Sequence, residues 1–239
     1  MRKKRRYRGF SLTEVLLAVG TLAIGMIFIG GTFLVGIHFT TIATEQTIAA
    51  VAADEAFAKI RLYGINLADP NLVVNELTPF EVLNPIAEYE FAYPSAKSSA
   101  EKQYYWSALC RPLYSDSNSR LVQVTVFVGR KVGAGTKYQG SAVNRPVPMQ
   151  VDVSGTLGSD VLKIEEPDKI TWINDGSTIV DNRTGRLYRV LRRDVDAPNI
   201  ITLDRVWDSS LTGSIWVIPP PIGGGRYPCV GIYQKVIRF

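Results

Sequence analysis

An uninterrupted apolar stretch near the start of the chain limits what the rest can fold into. No Asp, Glu, Lys or Arg occurs from residue 15 to residue 44. About 20 apolar residues suffice to cross a lipid bilayer as a helix. Six basic residues precede the stretch, namely Arg2, Lys3, Lys4, Arg5, Arg6 and Arg8. Because basic residues favour the cytoplasmic side, we expect one span over residues 10–39 and an outer body after residue 40.

One acidic residue, Glu14, lies inside the apolar segment, which begins at Phe10. A carboxylate at the centre of a membrane helix costs about 2.5–3.5 kcal/mol, so such a residue is a functional candidate by default. Pairing with the ammonium group of another molecule would offset much of that cost. The pattern Ser11-Leu12-Thr13-Glu14 also fits a capping box. Glu14 therefore has a second interpretation, as the cap of a plain signal-anchor helix.

The junction Gly9-Phe10-Ser11-Leu12-Thr13-Glu14 resembles the leader junction of type IV pilins and type II secretion pseudopilins. The resemblance implies that prepilin peptidase cleaves after Gly9 and then methylates the new amino terminus at Phe10. It also implies that Glu14 is the assembly residue, which meets the amino terminus of a neighbouring subunit in a filament. Many filament-forming pilins carry a proline in the middle of this helix, whereas this chain has Gly30-Gly31 and no proline before Pro70.

The resemblance further implies the partners and the location of the chain. The partners are prepilin peptidase, other pilin or pseudopilin subunits, the inner-membrane assembly platform and the membrane. The chain would lie in the inner membrane with a cytoplasmic amino terminus and a periplasmic carboxy-terminal domain, and then enter a periplasmic or surface filament. No nucleic-acid partner is indicated, because the six basic residues of segment 1–9 outweigh the formal net charge of +5 and leave the remainder near neutral.

The same helix is predicted to continue beyond the membrane. No proline interrupts the segment from Phe10 to Leu62, and Gly64 is a suitable stop. An apolar stripe that could carry a sheet recurs at helical spacing in the second half and consists of Ala49, Ala53, Phe57 and Ile60.

Two strands are predicted next, over residues 104–113 and 121–128, with a turn at 115–119 between them. Residues 65–100 contain scattered prolines and are predicted to be loop with brief turns or strands. One face of the second strand is formed by Val122, Val124, Val126 and Val128. We expect this valine face to lie on the helix. The strand pair resembles that of small minor pseudopilins.

A second globular segment is predicted after a linker rich in Gly, Lys, Arg and Pro. Its strand candidates are 149–157, 161–165, 170–173, 177–180, 186–192, 200–204 and 214–218. Such close spacing predicts a small antiparallel barrel or sandwich, inserted before a last strand at 230–237. The predicted fold class is therefore α+β: a long membrane-spanning helix forms the spine of a pilin-like antiparallel sheet, and a β-rich module is added.

The predicted organisation has six parts. They are a cleaved basic leader (1–9), the amino-terminal helix (10–64, with its periplasmic half at 40–64), a pilin-like head (65–128), an exposed linker (129–148), the β-rich module (149–221), and a linker with the last strand (222–239).

Cys110 and Cys229 are the two cysteines of the chain. In an oxidising compartment they could form a disulfide, worth about 4–5 kcal/mol for a loop of more than about 100 residues. If the last strand rejoins the first sheet, Cys229 is expected to return next to Cys110. The alternative is two buried free thiols.

The outer body has no recognisable catalytic constellation. His38, the one histidine, lies near the membrane, so Ser-His-Asp and Cys-His sites are not expected in the body. Zinc-like spacing is absent. The acidic turns at 116–118 and 194–196 are predicted to be solvated rather than to bind calcium. We therefore predict no metal, no cofactor and no enzymatic activity.

These patterns favour a minor pilin or pseudopilin, a structural subunit of a type IV pilus or type II secretion filament. Two other functions stay open. One is a membrane-anchored β-rich binding protein that does not polymerise. The other is an anchored hydrolase, because acidic pairs converge only in three dimensions.

Overall fold

A computed structural model describes residues 11–96, 102–114, 120–133, 135–141, 143–209 and 211–239. The chain divides into two compact units, residues 1–45 and 46–239. The helices are α1 (Leu12–Tyr63) and α2 (Phe80–Leu83), with 3₁₀ helices at Glu88–Phe91 and Pro167–Trp172. The strands are β1 (Thr78–Pro79), β2 (Ala92–Tyr93), β3 (Tyr104–Pro112), β4 (Leu121–Arg130), β5 (Met149–Gly155), β6 (Val161–Ile164), β7 (Thr178–Asp181), β8 (Leu187–Arg193), β9 (Ile200–Leu203), β10 (Thr212–Val217) and β11 (Cys229–Arg238).

The predicted long helix is confirmed as α1. It is the one helix of the described residues that is long and apolar enough to cross a membrane. It ends one residue before Gly64, whose φ of 74° lies in the left-handed region that glycine adopts without a steric penalty. The Gly64 amide donates to the Ile60 carbonyl at 3.0 Å, so the predicted stop at Gly64 is confirmed as well.

The second unit contains an antiparallel sheet whose main strands run in the order β1-β3-β4-β11, with β2 also paired to β3. Strand β11 runs alongside β4 over almost its whole length, for example with Ile232 opposite Phe127 and Val236 opposite Gln123. The prediction that the last strand rejoins the first sheet is confirmed. Strands β5 to β10 are thus inserted between two neighbouring strands of this sheet.

One face of the sheet packs on the carboxy-terminal half of α1. The predicted stripe is confirmed, because all four of its members are at most 4 % exposed. Ala52 and Ala56 are buried beside them, and such small side chains let the backbone of the helix approach the sheet. The predicted valine face of β4 belongs to the same hydrophobic core. This face is therefore assigned correctly from the alternation of β4.

The inserted segment forms a closed barrel with the strand order β10-β5-β6-β9-β8-β7, which is one of the two architectures, barrel or sandwich, that the close spacing of its strands predicts. Strand β6 alternates strictly between exposed and buried residues. The predicted strand at 170–173 is wrong, because this segment belongs mainly to the 3₁₀ helix Pro167–Trp172. Proline fixes φ for a helical start, and Trp172 and Ile173 are buried in the barrel core.

The barrel packs on the other face of the sheet through a small apolar core. Its buried members are Leu77, Leu109, Phe127, Val180, Trp216 and Ile218. The sheet therefore lies between α1 on one face and the barrel on the other. The sequence predicted the module but not the face on which it packs.

A tight turn of the barrel anchors this contact. The buried carboxylate of Asp181 accepts hydrogen bonds from the Arg183 amide at 3.3 Å and the Thr184 amide at 3.0 Å. The carbonyl of Gly185 in this turn accepts from Gln123 Nε2 at 3.3 Å and from Gln234 Nε2 at 2.6 Å. The turn thereby bonds to β4 and β11 at the same point.

The linker between sheet and barrel is not exposed throughout, contrary to the prediction for residues 129–148. Arg145 is fully buried, and its guanidinium lies 4.0 Å from the centre of the Phe91 ring. Its Nε donates to Glu88 at 2.7 Å, and its terminal nitrogens donate to Glu81 and to Ser107. A single arginine therefore fixes the linker to the head, which composition alone does not reveal.

We predict that Gly185→Ala destabilises the second unit more than Gly158→Ala does. Both glycines have positive φ, 70° and 81°, where alanine costs about 1–2 kcal/mol. A Cβ at residue 158 meets nothing within 4 Å, whereas at residue 185 it meets Gln123 at 2.8 Å. Displacing Gln123, which accepts from Arg111 at 2.7 Å, breaks hydrogen bonds worth about 1–3 kcal/mol. Equal shifts in denaturant midpoint would contradict this docking.

We also predict that Arg145→Met lowers the free energy of unfolding by about 2–4 kcal/mol. Breaking a buried ion pair costs about 3–5 kcal/mol, and the value is reduced here because Glu81 and Glu88 keep 37 % and 54 % of their side chains exposed. The control is Arg192→Met at an exposed position of β8, expected to change stability by less than about 0.5 kcal/mol. Urea unfolding followed by tryptophan fluorescence measures both.

Candidate functional site

The structure describes one of the three residues predicted to take part in processing and assembly. Gly9 and Phe10 lie outside the described residues. Glu14 lies in the first turn of α1, where its side chain is exposed. The Glu14 carboxylate makes no hydrogen bond or ion pair with any other residue in the described part of the chain. The carboxylate is thus presented on the surface of the first unit.

The start of the helix uses the backbone of Ser11 rather than a capping box. The Ser11 carbonyl accepts from the amides of Glu14 at 3.0 Å and Val15 at 3.2 Å. The Ser11 hydroxyl lies 3.0 Å from the Thr13 hydroxyl. Among the described contacts, the reciprocal side-chain bonds between Ser11 and Glu14 that define a capping box are absent. The Glu14 carboxylate is therefore not used to cap its own helix.

Large apolar side chains surround Glu14 and continue along the helix on all sides. Val15 is 49 % exposed. Fifteen further large apolar side chains are more than half exposed, namely Leu12, Leu16, Leu17, Val19, Leu22, Ile24, Met26, Ile27, Phe28, Ile29, Phe33, Leu34, Val35, Ile37 and Phe39. A helix that is apolar on every side is suited to the interior of a membrane or of a larger assembly. This property is shared by the whole described segment before residue 40.

Threonines in the first half of α1 make internal hydrogen bonds that composition alone does not reveal. The hydroxyls of Thr32, Thr40, Thr41 and Thr44 each donate to the carbonyl four residues earlier, at 2.8–3.0 Å. Thr21 donates to the Ala18 carbonyl at 2.9 Å. Because lipid offers no hydrogen-bond partners, these internal bonds would leave no unsatisfied threonine hydroxyl in a bilayer. Glu14 is the one acidic side chain among residues 11–44, and a bond of this kind cannot neutralise its charge.

The predicted pairing of Cys110 with Cys229 is not formed, and both thiols are free. Cys110 lies opposite Val124 on one side of β4, and Cys229 lies opposite Gly129 on its other side. Five residues along a strand and two strand spacings separate them by about 19 Å. A disulfide requires Cα atoms within about 7 Å. Rejoining the sheet therefore does not bring Cys229 next to Cys110, because β11 is antiparallel and begins at the far end of β4.

The structure describes one of the two acidic turns, residues 194–196, and it forms an ordinary turn. One carboxylate oxygen of Asp194 accepts from the amides of Asp196 at 2.9 Å and Ala197 at 3.1 Å. The bond from Ala197 is the largest cause of the lowered pKa of Asp194. The other turn, 116–118, lies outside the described residues. Within the described part of the chain, no group of three or more His, Cys, Asp or Glu side chains could hold a metal ion.

We predict that both cysteines resist alkylation in the folded protein. Burial raises the pKa of the Cys110 thiol, and it raises that of Cys229 to about 12. The reactive thiolate is therefore scarce near pH 8. Iodoacetamide should label neither residue in native protein, and both after denaturation without a reductant, as read by peptide mass spectrometry. A bridged peptide, or labelling only after reduction, would contradict the free thiols.

Comparisons with protein-family models, with curated proteins and with solved structures found no match to this chain.

Proposed function

We propose that this chain is a minor pilin or pseudopilin, a structural subunit that joins a type IV pilus or type II secretion filament through its amino-terminal helix. One observation carries the proposal. Glu14 is the one Asp, Glu, Lys or Arg among residues 12–44 of α1, and it stands five places after a glycine preceded by basic residues. A buried carboxylate needs a cationic partner or a hydrogen-bond donor, and the described residues provide none for Glu14.

The proposed partner is the amino terminus of a neighbouring subunit. Cleavage after Gly9 would create an ammonium group at Phe10, which cannot exist in the uncleaved chain. The Glu14 carboxylate would accept hydrogen bonds from this ammonium group across the contact between two helices in lipid. Each processed subunit would thus carry both halves of the pair, and copies or relatives of the chain could associate in sequence. The signal for assembly would be the cleavage itself.

The second unit would serve as the part of the subunit outside the membrane. Its barrel is bonded to the sheet by the turn at residues 182–185, so barrel and sheet would move as one body in a filament. The proposed location is the inner membrane before assembly, with the second unit in the periplasm. Prepilin peptidase, other pilin-type subunits and the inner-membrane assembly platform would be the partners.

Processing is tested by the mass of the chain extracted from membranes of its native host. We expect a mature protein that begins with N-methylated Phe10. The variant Gly9→Leu should keep residues 1–9, because a bulky side chain replaces the glycine at the proposed cleavage site. A wild-type chain that retains its basic leader would refute the processing step and, with it, the source of the ammonium group.

Assembly is tested by Glu14→Ala, with Glu45→Ala as the matched control at the next acidic position of the same helix. Breaking a buried ion pair costs about 3–5 kcal/mol, so we expect at least a tenfold loss of co-purification with other subunits from solubilised membranes. Glu45→Ala should leave co-purification unchanged. Normal association of Glu14→Ala would favour an anchored binding protein that does not polymerise.

A further inference from the structure

The second unit contains a groove of about 570 Å³ that the proposed assembly does not use. It lies where the 3₁₀ helix Glu88–Phe91, β2 and the start of β3 meet the linker at residues 143–144. Ligand sites are usually concave, of 300–1,000 Å³, with apolar walls and a few polar groups. The size and position of this groove satisfy that description.

A buried lysine supplies the polar group. Lys102 lines the groove, yet only 8 % of the residue is exposed. Its ammonium has three donors, and among the described residues it makes one hydrogen bond, to the Tyr89 carbonyl at 3.4 Å. That distance exceeds the usual 2.7–3.2 Å. Lys102 therefore has donor capacity left in a place where a buried cation is costly to leave unpaired.

Neighbouring carboxylates are already engaged by other cations. Glu90 pairs with Lys59 at 2.8 Å. Glu88, which itself lines the groove and keeps 54 % of its side chain exposed, accepts from Arg145 at 2.7 Å. No described carboxylate forms an ion pair with the Lys102 ammonium within 4 Å, although its charge contributes, after the hydrogen bond from Lys59, to the lowered pKa of Glu90. Water entering the open groove can satisfy the spare donors, and a ligand carboxylate would replace that water with a charged acceptor. Charge-assisted bonds of this kind are about twice as strong as neutral ones.

The walls indicate what would be attached to the carboxylate. Tyr89, which is 67 % exposed, and Tyr105 present aromatic surface to the groove. Ala92 and Val143 add apolar contact, and Asn144 stands exposed at the linker side. A planar or aliphatic body can pack between such groups while its acid reaches the lysine.

We propose that this groove binds a carboxylate attached to an aromatic or apolar body, with Lys102 as the group that pairs with the acid. The same chemistry is offered by a small organic acid and by the carboxyl terminus of a peptide that ends in an aromatic residue. The proposal does not depend on filament assembly, since every residue of the groove belongs to the second unit.

The test uses full-length protein in detergent micelles and the probe 4-fluorobenzoate, observed by fluorine NMR. We expect saturable binding by the wild-type chain. The neutral analogue 4-fluorobenzamide should bind at least tenfold more weakly, because it lacks the charge. A tripeptide that ends in phenylalanine, with a free or an amidated terminus, distinguishes the two sources: tighter binding of the free form than of 4-fluorobenzoate indicates a chain terminus.

Two variants test the groove itself. Lys102→Met keeps the approximate length of the side chain but removes its charge. It should weaken the binding of 4-fluorobenzoate at least tenfold. Asn144→Trp keeps the lysine and fills the groove from an exposed position, so it should weaken binding as much without endangering the fold. The control is Lys163→Met on the barrel, an exposed lysine, which should bind like wild type.

Four outcomes would overturn the proposal. They are absence of saturable binding to the wild-type chain, equal affinity for the acid and its neutral amide, undiminished binding by folded Lys102→Met, and undiminished binding by Asn144→Trp. Circular dichroism of each variant establishes whether it is folded. If Lys102→Met is not folded, the binding measured for Asn144→Trp tests the groove.

Discussion

The burial of β4 on both of its faces is the constraint on which the second unit depends. Its even-numbered valines pack on α1, whereas Phe127 enters the core shared with the barrel. Successive side chains of a strand point to opposite faces, so a shift of one residue would exchange the two sets. It would put valines against the polar turn at 182–185 and remove Gln123 from Gly185. The contact with α1 and the contact with the barrel therefore both fix the same register of β4.

Local patterns were sufficient to predict the long helix and most of the longer strands of this fold. The absence of proline before residue 64, the alternation in β4 and the turn residues between short strands depend on neighbours in sequence, and the helix, the valine face and the barrel followed from them. The miss at residues 170–173 has a local cause too, since four mostly apolar residues suit a strand or a short helix equally, and Pro167 decided for the helix.

Contacts between distant residues could not be predicted in this way. Arg145 looked like one basic residue of an open linker, but it is buried against Phe91 and held by two glutamates far from it in sequence. The direction of β11 decided the fate of the cysteines, because an antiparallel return places Cys229 at the end of β4 remote from Cys110. The groove beside Lys102 also arises only when linker, 3₁₀ helix and β3 come together.

Both halves of α1 carry apolar side chains whose removal from water is favourable, but the two halves differ in what covers these side chains. In the second half, alanines and Phe57 are buried against a sheet of the same chain. In the first half the described residues offer no such cover, and burying sixteen exposed large apolar side chains at about 1.5–3 kcal/mol each amounts to tens of kcal/mol. Against this, one carboxylate in lipid costs about 2.5–3.5 kcal/mol. Insertion of this half into a membrane would therefore be favourable with Glu14 present, and the acid would still lack a partner in the lipid. In the function proposed here, the amino terminus of a second subunit meets that need, so the same helix that holds the chain in the membrane also selects what it assembles with.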